Sequence, residues 1–545
     1  MAVIAQPKNS LSMLTSKKSP KYEVRAVWLA TIGGIDWPST YAHDGIGITS
    51  QQQQLCDMLD QLKEAHINTV LLQTRVRATT IFPSSMEPWD GCLSGTPGCS
   101  PGYDVLQFAI DECHRRGMEL HAWVVTIPIG KWNSYGCKQL RRRYPSMVLR
   151  IGEEGYMNPE SEQTADYLAD FCTEVARCYD VDGIHLDYIR YPETWRGSKR
   201  TSYIDRIVER IYGSVKGLKP WVKLSCSPIG KSDDLARYSS HGWNAYRRVA
   251  QDAQGWLRRG LMDQLYPMMY FRDNQFYPFA LDWQENACGR TVVAGLGTYM
   301  LSSAEGNWPL AEMKRQLCVS RQIGLGHCSF RAKFLLSNTK GIFNYTKTFD
   351  GSPALTPPMT WQRYMPPTPP TAVHIEHTTE GDNLSWHGAT DRSNGSYLLY
   401  NVYASTDESV DISNPANLVA MRCQYQQLSI RREARKPQLY YAVTALDRYG
   451  NESAPAIPAL IGKQESYHSE IISNDGYILA VPQRTMFDAP LLMVVDMQER
   501  TVLTCANQPT VYIGRLEDGI YQLRSINKKG WQHRLGYFVV KRKVR

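Results

Sequence analysis

Short apolar strand patterns alternate with amphipathic helix patterns from about residue 22 to residue 345, and this alternation restricts the fold more than any other feature. Alternating strands and helices predict a parallel sheet. Eight such units over roughly 320 residues match an enlarged (β/α)₈ barrel. The strand patterns are Val24–Ala30, Asn68–Arg75, Glu119–Val125, Gly183–Asp187, Val222–Ser227, a segment within Asp263–Tyr270, Thr291–Tyr299 and His327–Arg331.

The segment Asp182–Pro192 contains the strongest candidate for chemistry. It begins with an Asp-Gly turn and continues with alternation of period two, which places Gly183, His185 and Asp187 on one face. An ionisable residue at the carboxyl end of a parallel strand lies where barrel enzymes keep their catalytic groups. A structural role, in which Asp187 caps the next turn or pairs with Arg190, is the alternative.

Several motifs occur in an order that carries a resemblance well beyond this segment. They are Glu23–Trp28 followed by Asp36–Pro38, Asn68–Arg77, Ser85–Trp89, Gly117–Trp123 and Asp182–Pro192. Together they resemble the glycosyl-hydrolase-like family 10 barrels, bacterial envelope proteins assigned as glycoside hydrolases. The resemblance covers roughly Tyr22 to Tyr345. It implies hydrolysis of an envelope polysaccharide, either peptidoglycan glycan strands or a related amino-sugar polymer.

The chain departs from the family pattern at three loops. Tyr188 follows Asp187 where many relatives have a second Asp. Val125–Gly130 stands where many have an Asn-Pro-Tyr-Arg-like loop, and Ala78–Thr80 replaces an acidic position. These changes lower the negative charge of the predicted barrel mouth. A carbohydrate-binding protein that keeps the groove without catalysis is therefore the alternative function.

Glycoside hydrolysis generally uses two carboxyl groups. Asp187 is the first candidate and, if it stays charged, it suits the role of nucleophile or base. Asp273 is the preferred partner because it follows the sixth strand, opposite the fourth strand in an eight-stranded ring. Glu193 and Glu87 are alternatives. A separation of about 5 Å would give retention and about 6.5–9.5 Å inversion, and the sequence does not decide between them.

Polar and aromatic residues at the strand ends indicate a ligand, since a purely structural barrel interior would be filled by Val, Ile and Leu. Ser225 and Ser227 are further candidates for the upper rim of the barrel. The predicted substrate-binding residues are Trp28, Gln73, Arg75, His121, Trp123, His185, Tyr188, Arg190, Tyr266, Tyr270, Tyr299 and Arg331.

Composition changes after the barrel, which we assign to residues 21–350. Residues 351–370 are rich in proline and predict a stiff linker. Residues 371–463 resemble a fibronectin type III sandwich, through Trp386 and the run Tyr440–Pro455. Residues 464–545 contain short strand patterns and predict a small β-sandwich, and these two modules are candidates for envelope docking.

Charge and motifs exclude several function classes. The net charge of +8 comes from 61 Lys and Arg against 53 Asp and Glu, which does not indicate nucleic acid. A basic run, Arg141–Arg143, lies in the long predicted loop Thr126–Tyr156. The motifs of Rossmann, P-loop and Ser-His-Asp enzymes do not occur, so no cofactor is expected.

Cysteine usage and the amino terminus bear on the compartment. Thirteen cysteines without a Cys-x-x-Cys pair do not predict a zinc site, and no metal is expected. Cys92 and Cys99 flank a Gly/Pro-rich loop and could pair in an oxidising compartment. No apolar run of transmembrane length occurs. Residues 1–20 suggest the disordered remnant of an export signal, so a periplasmic, cell-surface or secreted protein is expected.

Overall fold

The computed structural model describes residues 19–238, 241–378, 381–393, 395–431, 439–458, 472–481, 489–527 and 532–541. The expected export-signal remnant therefore lies almost entirely outside the described residues. Eight parallel strands close into a barrel in sequential order, which confirms the predicted fold. The strands are β1 (Arg25–Leu29), β2 (Thr69–Arg75), β3 (Glu119–Val125), β4 (Gly183–Asp187), β5 (Lys223–Cys226), β6 (Gln264–Leu265), β7 (Thr291–Leu296) and β8 (Gly326–Ser329).

Strand alternation separates two cores. Trp123 of β3 pairs with His185 of β4, which pairs with Ser225 of β5, so these side chains share the barrel interior. An interior apolar cluster includes Trp28 and Tyr266. The larger apolar core lies between the outward strand faces and the surrounding helices. The barrel is thus packed inside as well as outside, as expected for this architecture.

Among its described residues, the barrel domain contains twelve α-helices, most of them on the outside of the strands. Their bounds are Gly45–Glu64, Gly91–Ser94, Val105–Arg115, Tyr135–Arg143, Glu162–Cys178, Thr201–Leu218, Ala245–Val249, Ala253–Arg258, Tyr277–Glu285, Leu310–Gln322, Ala332–Leu336 and Ile342–Phe349.

Two predicted elements differ from the structure for local reasons. Ala245–Arg259, where the sequence periodicity predicts one helix, forms two short helices, because Ala250 adopts a left-handed φ of 53° and Asp252 caps the second helix by accepting from the Gly255 amide. Strand β6 has only two residues, since Pro267 follows closely and has no N–H for a sheet ladder. Met268 continues the barrel through isolated bridges to Ile229 and Gly295.

The long segment after β3, predicted as a loop, folds into an insert of its own. Three antiparallel strands, Pro128–Lys131, Val148–Ile151 and Glu154–Met157, form a small sheet beside the helix Tyr135–Arg143. Buried Cys137 and Leu140 attach that helix to the main core. The insert therefore adds an ordered wall at the carboxyl end of the barrel.

The next module contains two three-stranded antiparallel sheets. One has the order Thr371–His377, Gly381–His387, Gln427–Arg431, and the other has the order Leu418–Cys423, Leu399–Ser405, Tyr440–Leu446. Trp386 and Tyr400 contact each other in the core between them, with ring centroids 5.5 Å apart. The fibronectin type III assignment of this module stays a prediction.

The last described part forms a four-stranded antiparallel sheet with the order Thr501–Ala506, Leu491–Asp496, Gly519–Ile526, Gln532–Val540. A second, two-stranded sheet joins Ile478–Ala480 to Thr510–Tyr512. Leu492, Leu523 and Phe538 lie in their common apolar core. The β character predicted for this region is confirmed for the described residues.

The proline-rich segment and the first β module lie against the amino-terminal end of the barrel. Leu355 exchanges backbone hydrogen bonds with residues 21 and 23, and the Trp361 indole donates to Asp263 at 2.9 Å. Arg422 of the β module donates to Glu119 at 3.1 Å and also pairs with Asp182. This end of the barrel is therefore closed by protein.

Two further findings concern the membrane and the cysteines. Within the described ranges, no helix combines the length and apolarity needed to cross a bilayer. The thirteen cysteines are free thiols, and of the pair considered above Cys92 is buried whereas Cys99 is exposed.

Candidate active site

Asp187 lies at the carboxyl end of β4 and points into the barrel. One carboxylate oxygen, Oδ1, accepts from the Ser227 hydroxyl at 2.7 Å and from the Tyr188 amide at 2.8 Å. The other, Oδ2, accepts from the Trp123 indole N–H at 3.1 Å. These contacts come from three neighbouring strand ends, so the closed barrel itself positions the carboxyl group.

Burial controls the protonation of this group. Asp187 is 6% exposed, and burial raises the pKa of its carboxyl, while the Ser227 hydrogen bond, the Arg190 charge and the Tyr188 and Trp123 N–H groups partly oppose that rise. A carboxyl with a raised pKa keeps its proton closer to neutral pH and is suited to donate it.

The residue after Asp187 has an unusual backbone conformation. Tyr188 has a φ of 53°, in the left-handed region that aromatic residues rarely adopt. Its ring is 38% exposed, and the Arg190 guanidinium lies 4.7 Å from the ring centroid. Such strain is frequent at functional sites. Here it lets the Tyr188 amide bind Asp187 while its ring borders the opening of the barrel.

A neutral histidine supports the site from below. An indole N–H can only donate, so the 3.2 Å contact from Trp28 makes His185 Nε2 an acceptor. The proton is therefore on Nδ1, which donates to the Ser225 hydroxyl at 2.9 Å. Burial, followed by the nearby His121, holds the pKa of His185 well below its ordinary value. The Tyr266 ring packs edge-on against His185, with centroids 5.1 Å apart.

An aromatic wall lies across the opening, at the ends of the sixth, seventh and eighth strands. Tyr270 stacks on Phe330 with centroids 5.3 Å apart, and Tyr299 contacts both rings edge-on. The Tyr270 hydroxyl is buried and has no hydrogen-bond partner among the residues the structure describes. Burial raises the pKa of Tyr270 well above its ordinary value, and the charges of Asp187 and Tyr188 act in the same direction.

Two other predicted binding residues hold the surrounding loops. Gln73 accepts from the amides of Thr31 and Ile32, at 3.0 and 2.9 Å, and so fixes the loop after β1. Arg331 donates to Asp36 and thereby connects the loops after β8 and β1. We use the term mouth for the opening bordered by Asp187, Tyr188, Tyr270 and Tyr299.

Two of the predicted substrate-binding residues lie away from the mouth. Arg75 is fully buried outside the barrel interior, where it forms an ion pair with Glu87 at 2.6 Å and donates to the Thr126 carbonyl. This pairing also occupies Glu87, one of the alternative acids. His121 is fully buried one layer below Trp123, and its Nε2 lies 3.1 Å from Glu119.

The expected second acid is placed differently from the prediction. Asp273 is 68% exposed and pairs with Arg315 of an outer helix at 2.8 Å. It therefore faces an outer helix rather than Asp187. The alternative Glu193 accepts from Arg190 and is 49% exposed. The Arg190 charge acts on Asp187 as well, so Arg190 is the side chain that the two acids have in common.

Sequence reasoning missed two residues of the site. Phe330 forms the base of the aromatic wall, and Thr126 binds the Asp187 carbonyl through its amide at 2.9 Å and its hydroxyl at 2.8 Å. The alternation of β8 could have indicated Phe330, which lies two residues beyond Cys328 on the inward face. No sequence signal indicated Thr126.

A second acidic cluster lies at the opposite end of the barrel. Glu23, His327 and Asp350 bring potential metal-ligand atoms within 4.8 Å of one another. The two carboxylates, however, already bind the buried guanidinium groups of Arg25 and Arg321. This donor set is neutralised by cations and does not fit a metal centre.

Comparison with known proteins places these features in a family. The family described as "Glycosyl hydrolase-like 10" matches residues 23–200 and 193–298, just over half of the chain. Glycosyl hydrolase YngK of Bacillus subtilis is 27% identical over 479 residues, covering 79% of this chain and 92% of that protein. Glycosyl hydrolase DigH of Escherichia coli K12 is 29% identical over 368 residues, covering 58% of this chain and 84% of that protein.

Solved structures are more distant. The glycoside hydrolase domain of PgaB (BpsB) from Bordetella bronchiseptica aligns with a TM-score of 0.44 at 13% identity, covering 60% of this chain and 98% of that chain. Alpha-L-fucosidase isoenzyme 2 from Paenibacillus thiaminolyticus aligns with a TM-score of 0.40 at 14% identity, covering 60% and 48%.

Proposed function

This chain belongs to the glycosyl hydrolase-like 10 family and is a glycosidase. On this basis we propose that it hydrolyses a bacterial envelope polysaccharide, with Asp187 as the essential carboxyl group. The observation that carries the proposal is the position of Asp187, buried at the carboxyl end of β4 and held by three N–H and O–H donors. The sequence motifs favour peptidoglycan glycan strands or a related amino-sugar polymer as the substrate.

Asp187 is assigned the role of proton donor rather than that of the charged nucleophile expected from sequence. Its three hydrogen bonds leave one acceptor position on Oδ2, and a proton there is favoured by the raised pKa. Glu193 is assigned the role of the second carboxyl group. Glu193 forms an ion pair with Arg190 in the loop that follows Asp187, and a base or nucleophile is the second role that glycoside hydrolysis requires. Asp273 is the alternative, and its exposed pairing with Arg315 disfavours it.

Substrate binding is assigned to the aromatic wall and to Tyr188. A buried hydroxyl without a partner costs free energy, and a sugar hydroxyl would supply the missing hydrogen bond to Tyr270. The exposed Tyr188 ring offers an apolar face on which a sugar ring can stack. Trp123 orients Asp187 and, with Trp28 and His185, supports the site from inside the barrel.

The direct experiment incubates the protein with purified glycan strands, with and without stem peptides, and follows new reducing ends. Asp187→Asn should lower turnover by about 10²–10⁴-fold, the usual contribution of general acid catalysis. On an activated aryl glycoside, whose leaving group needs no proton, the same variant should keep most of its turnover. Loss of turnover on both substrates would instead indicate a nucleophile.

Matched variants test the second carboxyl group. Glu193→Gln should lower turnover on glycan strands by orders of magnitude, whereas Asp273→Asn should stay close to the parent protein. The reverse result would identify Asp273 as the second carboxyl group. If Asp187→Asn and the parent protein bind strands equally and neither releases reducing ends, the chain is a carbohydrate-binding protein.

Export and docking complete the proposal. An enzyme acting on envelope polysaccharide must meet it outside the cytoplasm, in the periplasm or at the cell surface, and the two β modules would hold it there. Fractionation of cells that express the full gene product tests this. Recovery in the cytoplasm alone would contradict it, and wall or membrane association that disappears on removal of residues 472–545 would support the docking role.

A further inference from the structure

Positive charge is concentrated in the two loops that flank Asp187. Residues 126–161, after β3, and residues 188–200, after β4, together contain ten Lys and Arg against four Asp and Glu. These loops thus hold six of the chain's eight net positive charges, although they make up less than a tenth of its length. The basic run Arg141–Arg143 noted in the sequence belongs to the first loop.

Contacts join both loops to the mouth. Thr126 binds the backbone carbonyl of Asp187, so the insert begins beside the catalytic candidate. Burial raises the pKa of the Tyr156 phenol, and Thr194 of the second loop opposes that rise, so the two loops lie side by side here. Arg77, two residues after β2, lies against Gly130 of the insert. The distance from an ideal Cβ position on Gly130 to the Arg77 Cβ is 3.4 Å. The Arg77 charge acts on the phenols of both Tyr156 and Tyr188, which places it between insert and mouth.

Most of these cations have no carboxylate partner. None of six exposed or half-buried side chains forms an ion pair within the part of the chain that the structure describes. We call this set the cationic rim, and its members are Arg77, Lys131, Lys138, Arg142, Arg196 and Arg200. The acids of the two loops are engaged elsewhere or opposed: Glu153 pairs with Arg150, Glu193 pairs with Arg190, Glu160 accepts from Tyr191, and Glu154 lies opposite Lys131 in the insert sheet.

We propose that the cationic rim binds carboxylate groups carried at intervals along the glycan, so that the substrate class is an anionic polysaccharide. The inference deepens the proposed function and rests on it. An excess of like charge beside a cleft raises the local concentration of an oppositely charged ligand. A surface that served only solubility would carry cations and anions interspersed, as the rest of this chain does with 51 Lys and Arg against 49 Asp and Glu.

The test compares one polymer in two charge states. Glycan strands that carry free carboxylates are divided, and one half is amidated so that the backbone is unchanged and the charge removed. Binding is measured at low and high salt with the Asp187→Asn protein, which keeps the strands intact and is the parent of the rim variants below. This parent should prefer the carboxylate strands by about tenfold or more at low salt, and this preference should disappear as salt rises.

A rim variant and a matched control locate the effect. The triple variant Arg77→Gln, Lys131→Gln, Arg196→Gln should bind carboxylate strands about tenfold more weakly, since exposed ion pairs are individually weak. It should bind amidated strands with the same affinity as the parent. A second triple variant that keeps the charge, Arg77→Lys, Lys131→Arg, Arg196→Lys, should retain most of the affinity. The control variant removes three exposed cations of the β modules, Arg392→Gln, Arg431→Gln and Arg515→Gln, and should bind as the parent does.

Each outcome separates this inference from the proposed function. Equal affinity of the rim variant and the parent for both strand types overturns the rim, even if reducing ends are still released. Absence of hydrolysis with a retained carboxylate preference overturns the catalytic proposal and leaves the rim. A polyphosphate chain serves as the second anionic probe, and tight binding to it without binding to carboxylate strands overturns the carboxylate assignment.

Discussion

Removing the Ser227 hydroxyl should change the pH dependence of turnover in a way that reports the role of Asp187. Ser227 donates to Asp187 Oδ1 at 2.7 Å inside the barrel. A hydrogen bond to a charged group contributes about 1.5–3 kcal/mol, and about 1.4 kcal/mol corresponds to one pKa unit. Because the bond stabilises the ionised carboxylate, Ser227→Ala should raise the pKa of Asp187 by about one to two units.

The rate is measured against pH for the parent and Ser227→Ala proteins on the same glycan. If Asp187 donates a proton, the alkaline limb of the profile moves to higher pH by that amount, since the acid stays protonated to higher pH. If Asp187 acts in ionised form, the acid limb moves to higher pH instead. Ser225→Ala is the matched control, because Ser225 binds His185 and not Asp187, so neither limb should move. A folded Ser227→Ala protein with an unchanged profile would refute the assignment of Asp187 as the titrating group.

Tyr270→Phe should raise the melting temperature, because it removes a buried hydroxyl without a hydrogen-bond partner. The same variant should lower turnover about tenfold or more. A thermal scan and the reducing-end assay show whether stability and turnover change in opposite directions. Arg422→Gln should cost about 3–5 kcal/mol in the free energy of unfolding, since it leaves Asp182 and Glu119 buried with a partner missing, whereas the exposed Arg431→Gln should cost little in the same denaturant titration. Acid should destabilise the protein through the same cluster. The Arg422 and His114 charges oppose burial and hold the pKa of Asp182 well below its ordinary value, so its stabilising contribution is present above about pH 4 and is lost as the pH falls below that; a melting temperature that is constant from pH 5 to pH 2 would contradict this.

The barrel could be predicted from the sequence because two local signals agreed. Helix and strand periods alternate eight times, and the strand alternation assigns each residue to the inside or the outside. In the structure Trp123, His185 and Ser225 share one interior layer, and Ser227, one of the rim candidates, donates to Asp187. Parity is a property of the pleated backbone, so it survives errors in the ends of the strands.

Depth and direction along the barrel could not be predicted in the same way. His121 has the correct parity but lies one layer too low, beside Glu119. Arg75 follows a register shift in the pairing of β2 with β3, which directs it outward to Glu87. Asp273 follows β6 by several residues, and its left-handed backbone with a φ of 51° lies in a short 3₁₀ turn. Each error comes from a local irregularity that periodicity does not encode.

Three buried aspartates have opposite electrostatic surroundings at the two ends of the barrel, and this difference separates a structural role from a chemical one. At the amino-terminal end, Asp182 and Asp350 each bind arginine side chains, and these charges with a neighbouring histidine overcome burial and lower both pKa values, that of Asp350 to about 2. At the carboxyl-terminal end, Asp187 receives only neutral donors, and burial prevails and raises its pKa. A lost cation at the first end therefore removes stability, whereas a lost donor at the second changes the proton affinity of a group that touches the mouth. A barrel whose interior served packing alone would have no reason to bury Asp187 without an ion pair among the described residues while pairing Asp182 and Asp350 with arginine side chains.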